Sequence, residues 1–211
     1  IHTMTHDEHL ETLDQVFARI QQAKLKLNLN KCVFGNQEVA YLGFVLTPQG
    51  VQPGKDKLKA IREAPVPSTI KEVRSFIGLC NFFRNHIPNF AKISAPLTQL
   101  TRKDSGFTQG QLPEEAHKAY TSLKTLLISE PIVDYPRSNR PYFLICDAAT
   151  GTADQAGGLG AILAQKDEQG NFRAISFGSR QLQAHEKNYS PFLLEMAASV
   201  WGMDHFSEYL K

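Results

Sequence analysis

The sequence predicts an α+β fold in which short antiparallel sheets flank a helical middle. Three observations predict it. Runs rich in β-branched and aromatic residues, closed by turn residues, lie at 39–46 and again between 142 and 177. From 55 to 127, apolar residues recur at helical spacing, divided by capping signals and prolines. The strands after 142 lead into one long helical pattern, Ser190 to Leu210, as in folds where helices and an antiparallel sheet are segregated.

Taken in order, Thr5-His6-Asp7-Glu8 reads as a capping box. Leu10, Leu13, Phe17 and Ile20 then follow at helical spacing. Leu25, Leu27 and Leu29 alternate, which predicts a strand. Phe34-Gly35-Asn36-Gln37 is a turn, Val39 to Leu46 a second strand, and Thr47-Pro48-Gln49-Gly50 its closing turn. A short basic helix over Lys55 to Ala64 is halted at Pro65-Val66-Pro67. Thr69-Ile70-Lys71-Glu72 is another capping box and opens a helix to about Asn85, after which Pro88 and Pro96 punctuate the chain. A helix from Glu114 to Leu127 carries Ala116, Tyr120, Leu123 and Leu127 on one stripe. A proline-containing linker over 129–141 precedes a strand at Tyr142 to Cys146. A small-residue loop from Thr150 to Gly158, strands at Leu159 to Gln165 and Phe172 to Phe177, and the last helix complete the order.

The 211 residues suit one or two domains. Net charge is +2, but it is unevenly placed. Ten Lys or Arg against Asp56, Glu63 and Glu72 make 55–103 a +7 segment between acidic flanks, which fits contact with a polyanion or a solvated charged surface. Cys32, Cys80 and Cys146 are odd in number and unpaired by spacing, which argues for a reducing compartment and against a disulfide or zinc framework. No apolar run reaches the roughly 18 residues of a membrane span. Both ends read as cut from a longer chain.

The helix opened at Thr69 has two stripes. Ile70, Val73, Ile77 and Cys80, widened by Phe76 and Phe83, face a core. Arg74, Gly78 and Phe82 form the other. A helical glycine costs about 1 kcal/mol against alanine, so Gly78 invites a reason. Either another helix approaches there, or a sugar-phosphate backbone does, with Arg supplying charge and Phe packing on a sugar or base. Asp147 follows a strand beside Ala148 and Ala149, and Glu195 is the lone acid in an apolar helical run. Two inward carboxylates from strand and helix suit shared divalent metals and phosphodiester hydrolysis. A turn-capping Asp and an exposed helical Glu is the plainer reading. Gly157-Gly158-Leu159-Gly160 lacks the ending of a phosphate-binding loop and reads as a hairpin. His2, His6 and His9 share a helix face without a completing ligand. Trp201 and Met203 read as packing residues.

Several segments together resemble the Pol polyprotein of gypsy-type LTR retrotransposons, at its reverse transcriptase and ribonuclease H region. They are Leu27-Asn28-Leu29-Asn30-Lys31-Cys32-Val33-Phe34, Tyr41-Leu42-Gly43-Phe44, and Val73 to Arg84 with its Arg74, Gly78, Asn81 and Phe82. Ile87-Pro88-Asn89-Phe90, Ala95-Pro96-Leu97, Phe177 to Leu182 and Glu186 to Ser190 add to them. The resemblance implies the end of a palm with a primer-grip hairpin over 1–53, a helical thumb and following helix over 54–128, a linker over 129–141, and the N-terminal half of a ribonuclease H-like domain over 142–211. It implies that Tyr41, Leu42, Gly43 and Phe44 hold the primer terminus. It also implies that Arg74, Gly78, Asn81, Phe82 and Arg84 line the nucleic-acid face of the thumb. Asp147 and Glu195 match two ribonuclease H carboxylates, with Mg2+ in a two-metal site. Implied partners are an RNA–DNA hybrid, a template–primer duplex and the remainder of the polyprotein, with a homodimer as an option and no membrane. The implied location is the cytoplasm, in the element's virus-like particle, or the nucleus.

The departures bound this expectation. The polymerase signature Tyr-x-Asp-Asp is absent, the later ribonuclease H carboxylates are expected beyond Lys211, and Leu193 stands where the family often has another Glu. The loop between Asp147 and Gly160 reads as longer than usual. The chain alone is therefore expected neither to polymerise DNA nor to cleave RNA. A domesticated or decayed nucleic-acid-binding protein is the alternative, and a glycosidase-like use of Asp147 and Glu195 lacks an aromatic cleft. The first helix and strands, expected to lack palm partners, should be marginal. Hydrogen exchange should show weak protection there, and strong protection would contradict the reading.

Overall fold

The structure is a computed structural model that describes residues 1, 3, 5–129, 132–152 and 157–211. His2 and part of the 150–158 loop lie outside the described residues. The chain divides into two compact units, 1–36 and 37–211.

The first unit carries α1, His6–Gln22, with the Thr5 hydroxyl accepting from the Glu8 amide at 3.2 Å. None of the described α1 residues is buried. The strand expected over Leu25 to Leu29 does not form; a 3-10 turn occupies Leu29–Lys31 instead. Alternation makes a strand only where a partner completes the hydrogen-bond ladder, and the described residues give this segment none. Leu25, Leu27 and Leu29 are exposed, and Phe17 meets Phe34 edge-on at 6.2 Å.

The second unit begins with a meander. Where one strand was expected over Val39 to Leu46, there are two, β1 (Val39–Tyr41) and β2 (Phe44–Thr47), and β3 (Gly50–Pro53) follows. All pair antiparallel. The reversal falls at Leu42 and Gly43, both with positive φ (48° and 84°). Hydrophobic alternation cannot report such a turn, because both residues fit the strand pattern. The Thr47 hydroxyl closes the next turn by donating to Gly50 O at 3.0 Å.

Four helices follow: α2 (Lys55–Glu63), α3 (Ile70–Asn81), α4 (Phe90–Leu100) and α5 (Glu114–Ile128). The reciprocal capping box of α3 is present, Thr69 bonding the Glu72 amide and Glu72 the Thr69 amide. Its helix ends at Asn81 rather than Asn85, and a 3-10 turn covers Arg84–His86. Pro96 does not punctuate the chain; it lies inside α4. The hydrogen bond lost there is offset by burial of Phe90, Ala95 and Leu97. Leu58, Ile61, Val73, Phe76, Cys80, Phe83, Leu123 and Leu127 form the core of this bundle. Burial pushes the Cys80 thiol up to about 12, which keeps it an inert packing group. The Tyr120 hydroxyl (2.7 Å) and Lys124 (2.8 Å) donate to Ala64 O and close the end of α2.

Residues 133–140 tie the two sheets together. Val51 and Val133 exchange backbone hydrogen bonds, and the Asp134 amide donates to Ala174 O at 2.7 Å. Buried Gln165 bonds Arg137 through its amide and carbonyl and also reaches Arg140 O.

The second sheet comprises β4 (Phe143–Ala149), β5 (Gly158–Lys166) and β6 (Phe172–Gln181), all antiparallel. The strands run longer than the alternation predicted, so Asp147 lies within β4, opposite Gly160, and not after it. The last helix is α6 (Pro191–His205), broken at Phe206 before the short α7 (Ser207–Leu210). Phe206 is buried, and burying that ring outweighs helical continuity.

Arg180 and Glu186 form a bidentate pair, both contacts 2.6 Å, with the Glu186 side chain 6% exposed. Hydrogen bonds from Arg180 and the Gln183 amide hold the Glu186 carboxyl down at about 2. Its contribution is complete above the ordinary 4.5 and is lost as pH falls towards 2, because the unfolded chain takes up the proton first. Glu186→Gln should cost about 3 kcal/mol by leaving Arg180 unpaired, and should flatten the pH dependence of unfolding between 4.5 and 2. Denaturant titration across that window checks both.

Candidate functional site

Two regions hold the residues singled out from sequence. One is the surface formed by the β1–β2 turn, α2 and α3. Tyr41 and Leu42 are exposed at the turn, and an open groove of about 420 Å³ is lined by Leu42, Gly43, Lys55, Asp56 and Lys57 among others. Gly43 is required here: a Cβ on it would come within 2.9 Å of Lys57 Cε and 3.0 Å of the Phe82 ring. Gly54 likewise leaves room for the Gly43 carbonyl, which accepts from the Gly54 amide at 2.9 Å.

On α3, Arg74, Gly78, Asn81 and Phe82 are all exposed. A Cβ at Gly78 would meet nothing within 4 Å. Helix packing therefore does not explain this glycine, and the face is open. Lys57, which sequence reasoning missed, stands over the Phe82 ring at 3.6 Å. Its distance from Phe82 in the chain hid the pairing. The Arg74 guanidinium donates to Thr101 O at 2.9 Å and so leans along the same surface.

Phe44 and Arg84 are placed differently. Phe44 is half-buried, stacked on Phe82 (4.9 Å) and on His86 (5.2 Å). It joins the hairpin to α3 from inside. Arg84 is half-buried and donates to Ser179 O at 2.8 Å, which binds the helical segment to the second sheet.

The other region is β4–β6. Two cross-strand rows run over it, and side chains of adjacent rows point to opposite faces. Cys146, Ala161 and Gly178 form the row that meets α6. Small residues there let the helix approach: Cβ atoms on Gly178 and Gly202 would fall within 2.7 Å of His205 and 3.1 Å of Ala161 respectively. Asp147, Gly160 and Ser179 form the next row, on the face met by Asn89 and Ala91. The Ser179 hydroxyl accepts from the Ala91 amide at 2.9 Å. Asp147 shares a cleft of about 30 Å³ with Asn89, Lys92, Gly158 and Ser179.

Glu195 lies on α6, between Leu194 and Ala198, which are buried against β5. Burial, then the Glu195 charge, push the Cys146 thiol up, so Glu195 acts at the β4 edge of the sheet. Asp147 and Glu195 are both exposed rather than inward. As hard oxygen donors they suit a divalent ion. Yet the described residues gather no group of three or more His, Cys, Asp or Glu. Asp147 stands on the sheet face met by Asn89 while Glu195 is carried by α6 over the opposite face, so the structure does not bring the two carboxylates onto one face. His6 and His9 belong to no such group either, and His2 is outside the described residues.

Residues 112–211 match the RNase H-like domain found in reverse transcriptase. The second half of the chain is thus similar to the RNase H-like domain of reverse transcriptases. More particularly, the chain is a relative of the retrovirus-related Pol polyproteins of gypsy-type transposons. It is 38% identical to that of transposon 297 over 96% of its length, 34% to that of opus over 97%, and 30% to that of gypsy over its full length, all from Drosophila melanogaster. It spans about a fifth of these relatives, 18%, 20% and 20% respectively. Its fold is similar to that of a foamy viral protease-reverse transcriptase solved with double-stranded DNA (TM-score 0.79, 22% identity, 99% of this chain and 35% of that one). The same holds for one solved with an RNA/DNA hybrid (TM-score 0.77, 23% identity, 99% and 27%). No helix among the described residues is long and apolar enough to cross a membrane.

His86, also missed from sequence, is 5% exposed, and neither ring nitrogen makes a well-formed hydrogen bond among the described residues. Burial pushes it down to about 4, the nearby Val51 backbone offsetting this only in part. The neutral ring stabilises the stack on Phe44. That contribution is complete above the ordinary 6.5 and is lost as pH falls towards 4, where the unfolded chain binds the proton and the folded one does not. His86→Leu should reduce the pH dependence of melting temperature between 6.5 and 4, leaving the part due to His205, which burial also pushes down, while keeping the hairpin docked. Scanning calorimetry at stepped pH checks it.

Proposed function

We propose that this chain is the nucleic-acid-gripping and RNase H-like portion of a retrotransposon reverse transcriptase. In this reading the β1–β2 turn and α2 form the primer grip, α3 lies along the groove of a template–primer or RNA–DNA hybrid, and the parent polyprotein is the working enzyme. The observation that carries it is the open stripe on α3. A helical glycine with free space above it, flanked by Arg74 and by Phe82 under Lys57, suits a sugar-phosphate backbone lying against the helix. The relatives' names and the nucleic acids in the foamy viral structures agree with it.

Asp147 would hold magnesium with carboxylates from elsewhere in the parent, and Glu195, which α6 presents over the other face of the sheet, would join it only in that larger assembly. When bound, the ions activate water and stabilise the leaving oxygen in hydrolysis of the RNA strand. This chain's own contribution is to fix Asp147 by the β4–β5 ladder and Glu195 by the docking of α6. A non-catalytic nucleic-acid-binding role for the chain alone is the second reading, favoured by the lack of a three-ligand group among the described residues.

Binding of a labelled RNA–DNA hybrid across a salt series, with and without magnesium, tests the proposal. Arg74→Ala should weaken binding several-fold and lower the salt slope by about 1. Gly78→Leu should leave the fold at least as stable, since helical glycine costs about 1 kcal/mol, and still weaken binding. Undiminished binding by the Gly78→Leu protein would sink the groove assignment.

A further inference from the structure

The Asp147 cleft is built by two parts of the chain. The sheet supplies Asp147, Gly160 and Ser179, and the start of α4 supplies Asn89 and Lys92. Asn89 adopts a left-handed backbone (φ 54°, ψ 29°) at the N-cap position of α4, yet its side chain makes no capping hydrogen bond. It turns to the sheet, where its Oδ1 stands 2.9 Å from where a Cβ on Gly160 would be. Gly160 pairs with Asp147 across the ladder. Only glycine at 160 leaves room for the Asn89 amide oxygen, and Asn89 lines the same cleft as Asp147. Lys92, one turn on, is exposed and forms no ion pair among the described residues. Three contacts fix this segment on the sheet: Arg84 to Ser179 O, the Ala91 amide to Ser179 Oγ, and Asn89 against Gly160.

We propose that Asn89 and Lys92 are the phosphate-contacting residues of the Asp147 site, so that a strand lying across Asp147 is held from the helical segment and not from the sheet. The inference rests on the nucleic-acid-gripping reading above. A cleft of about 30 Å³ is too small to take a nucleotide, so the strand passes over its mouth, where the Asn89 side-chain NH2 and the Lys92 ammonium make no hydrogen bond or ion pair among the described residues. A carboxylate and two donors side by side suit a phosphodiester whose other oxygen faces a cation: the donors bind the anion that Asp147 alone would repel.

The test is hybrid binding by the 211-residue chain in magnesium, read as affinity and salt slope, with circular dichroism confirming the fold. Lys92→Ala should weaken binding several-fold and lower the slope by about 1, and Lys92→Arg should restore both. Asn89→Gly keeps the left-handed backbone and deletes only the amide, and should weaken binding without changing the slope. Combined with Asp147→Asn, the Lys92→Ala effect should shrink, because both act on one phosphate. An unchanged affinity and slope in Lys92→Ala, while Arg74→Ala still weakens hybrid binding, overturns the assignment and leaves the nucleic-acid-gripping reading standing. If the chain does not bind the hybrid at all, that reading fails and the assignment falls with it.

Discussion

Both faces of the β4–β6 sheet are covered, and the rest of the molecule depends on how closely the two coverings approach. On one face α6 packs over Ala161 and Gly178, its own Gly202 removing the last side chain from the contact. On the other, the backbone and hydroxyl of Ser179 accept from Arg84 and Ala91, anchoring the helical segment. The period of two along each strand divides these tasks between neighbouring residues. Cys146 faces α6 and Asp147 faces Asn89. A one-residue slip of register would exchange the two and remove the carboxylate from its cleft.

The same economy joins the first sheet to the bundle. Phe44 stacks between Phe82 and His86, so the hairpin, α3 and the following 3-10 turn share one aromatic cluster. His86 tolerates its buried place by staying neutral. On the outer side of that cluster, Phe82 remains partly exposed beneath Lys57. The aromatic pair thus fastens the hairpin from within and presents a flat cationic surface without. Arg180 and Glu186 do similar duty beyond β6, where a desolvated pair fixes the loop leading to α6.

Much of this was legible in the residues. Strong periodicity and capping chemistry located α2, α3 and α5, because an amphipathic helix and its cap are written in consecutive residues. The three strands of the second sheet and their order were also legible. Pro96 misled because a buried helix can absorb a lost hydrogen bond that an exposed one cannot. The Leu25 to Leu29 segment misled because alternation states a preference for a partner without supplying one. Gly78 was ambiguous between packing and an open groove, since sequence does not show what lies above a residue.

By itself, the sequence determined the α+β order of elements, the basic character of the middle segment, the core stripe of α3 and the kinship with retrotransposon polyproteins, since all of these reside in local pattern or in ordered motifs. The tertiary structure alone decided which neighbours the candidate residues have. It turned Phe44 inward and gave Arg84 to Ser179. It set Lys57 over Phe82 and brought Asn89 and Lys92 to Asp147 from more than fifty residues away. Such pairings depend on register and on the docking of distant elements, which are settled by burial and hydrogen bonding over the whole chain and leave no local signature.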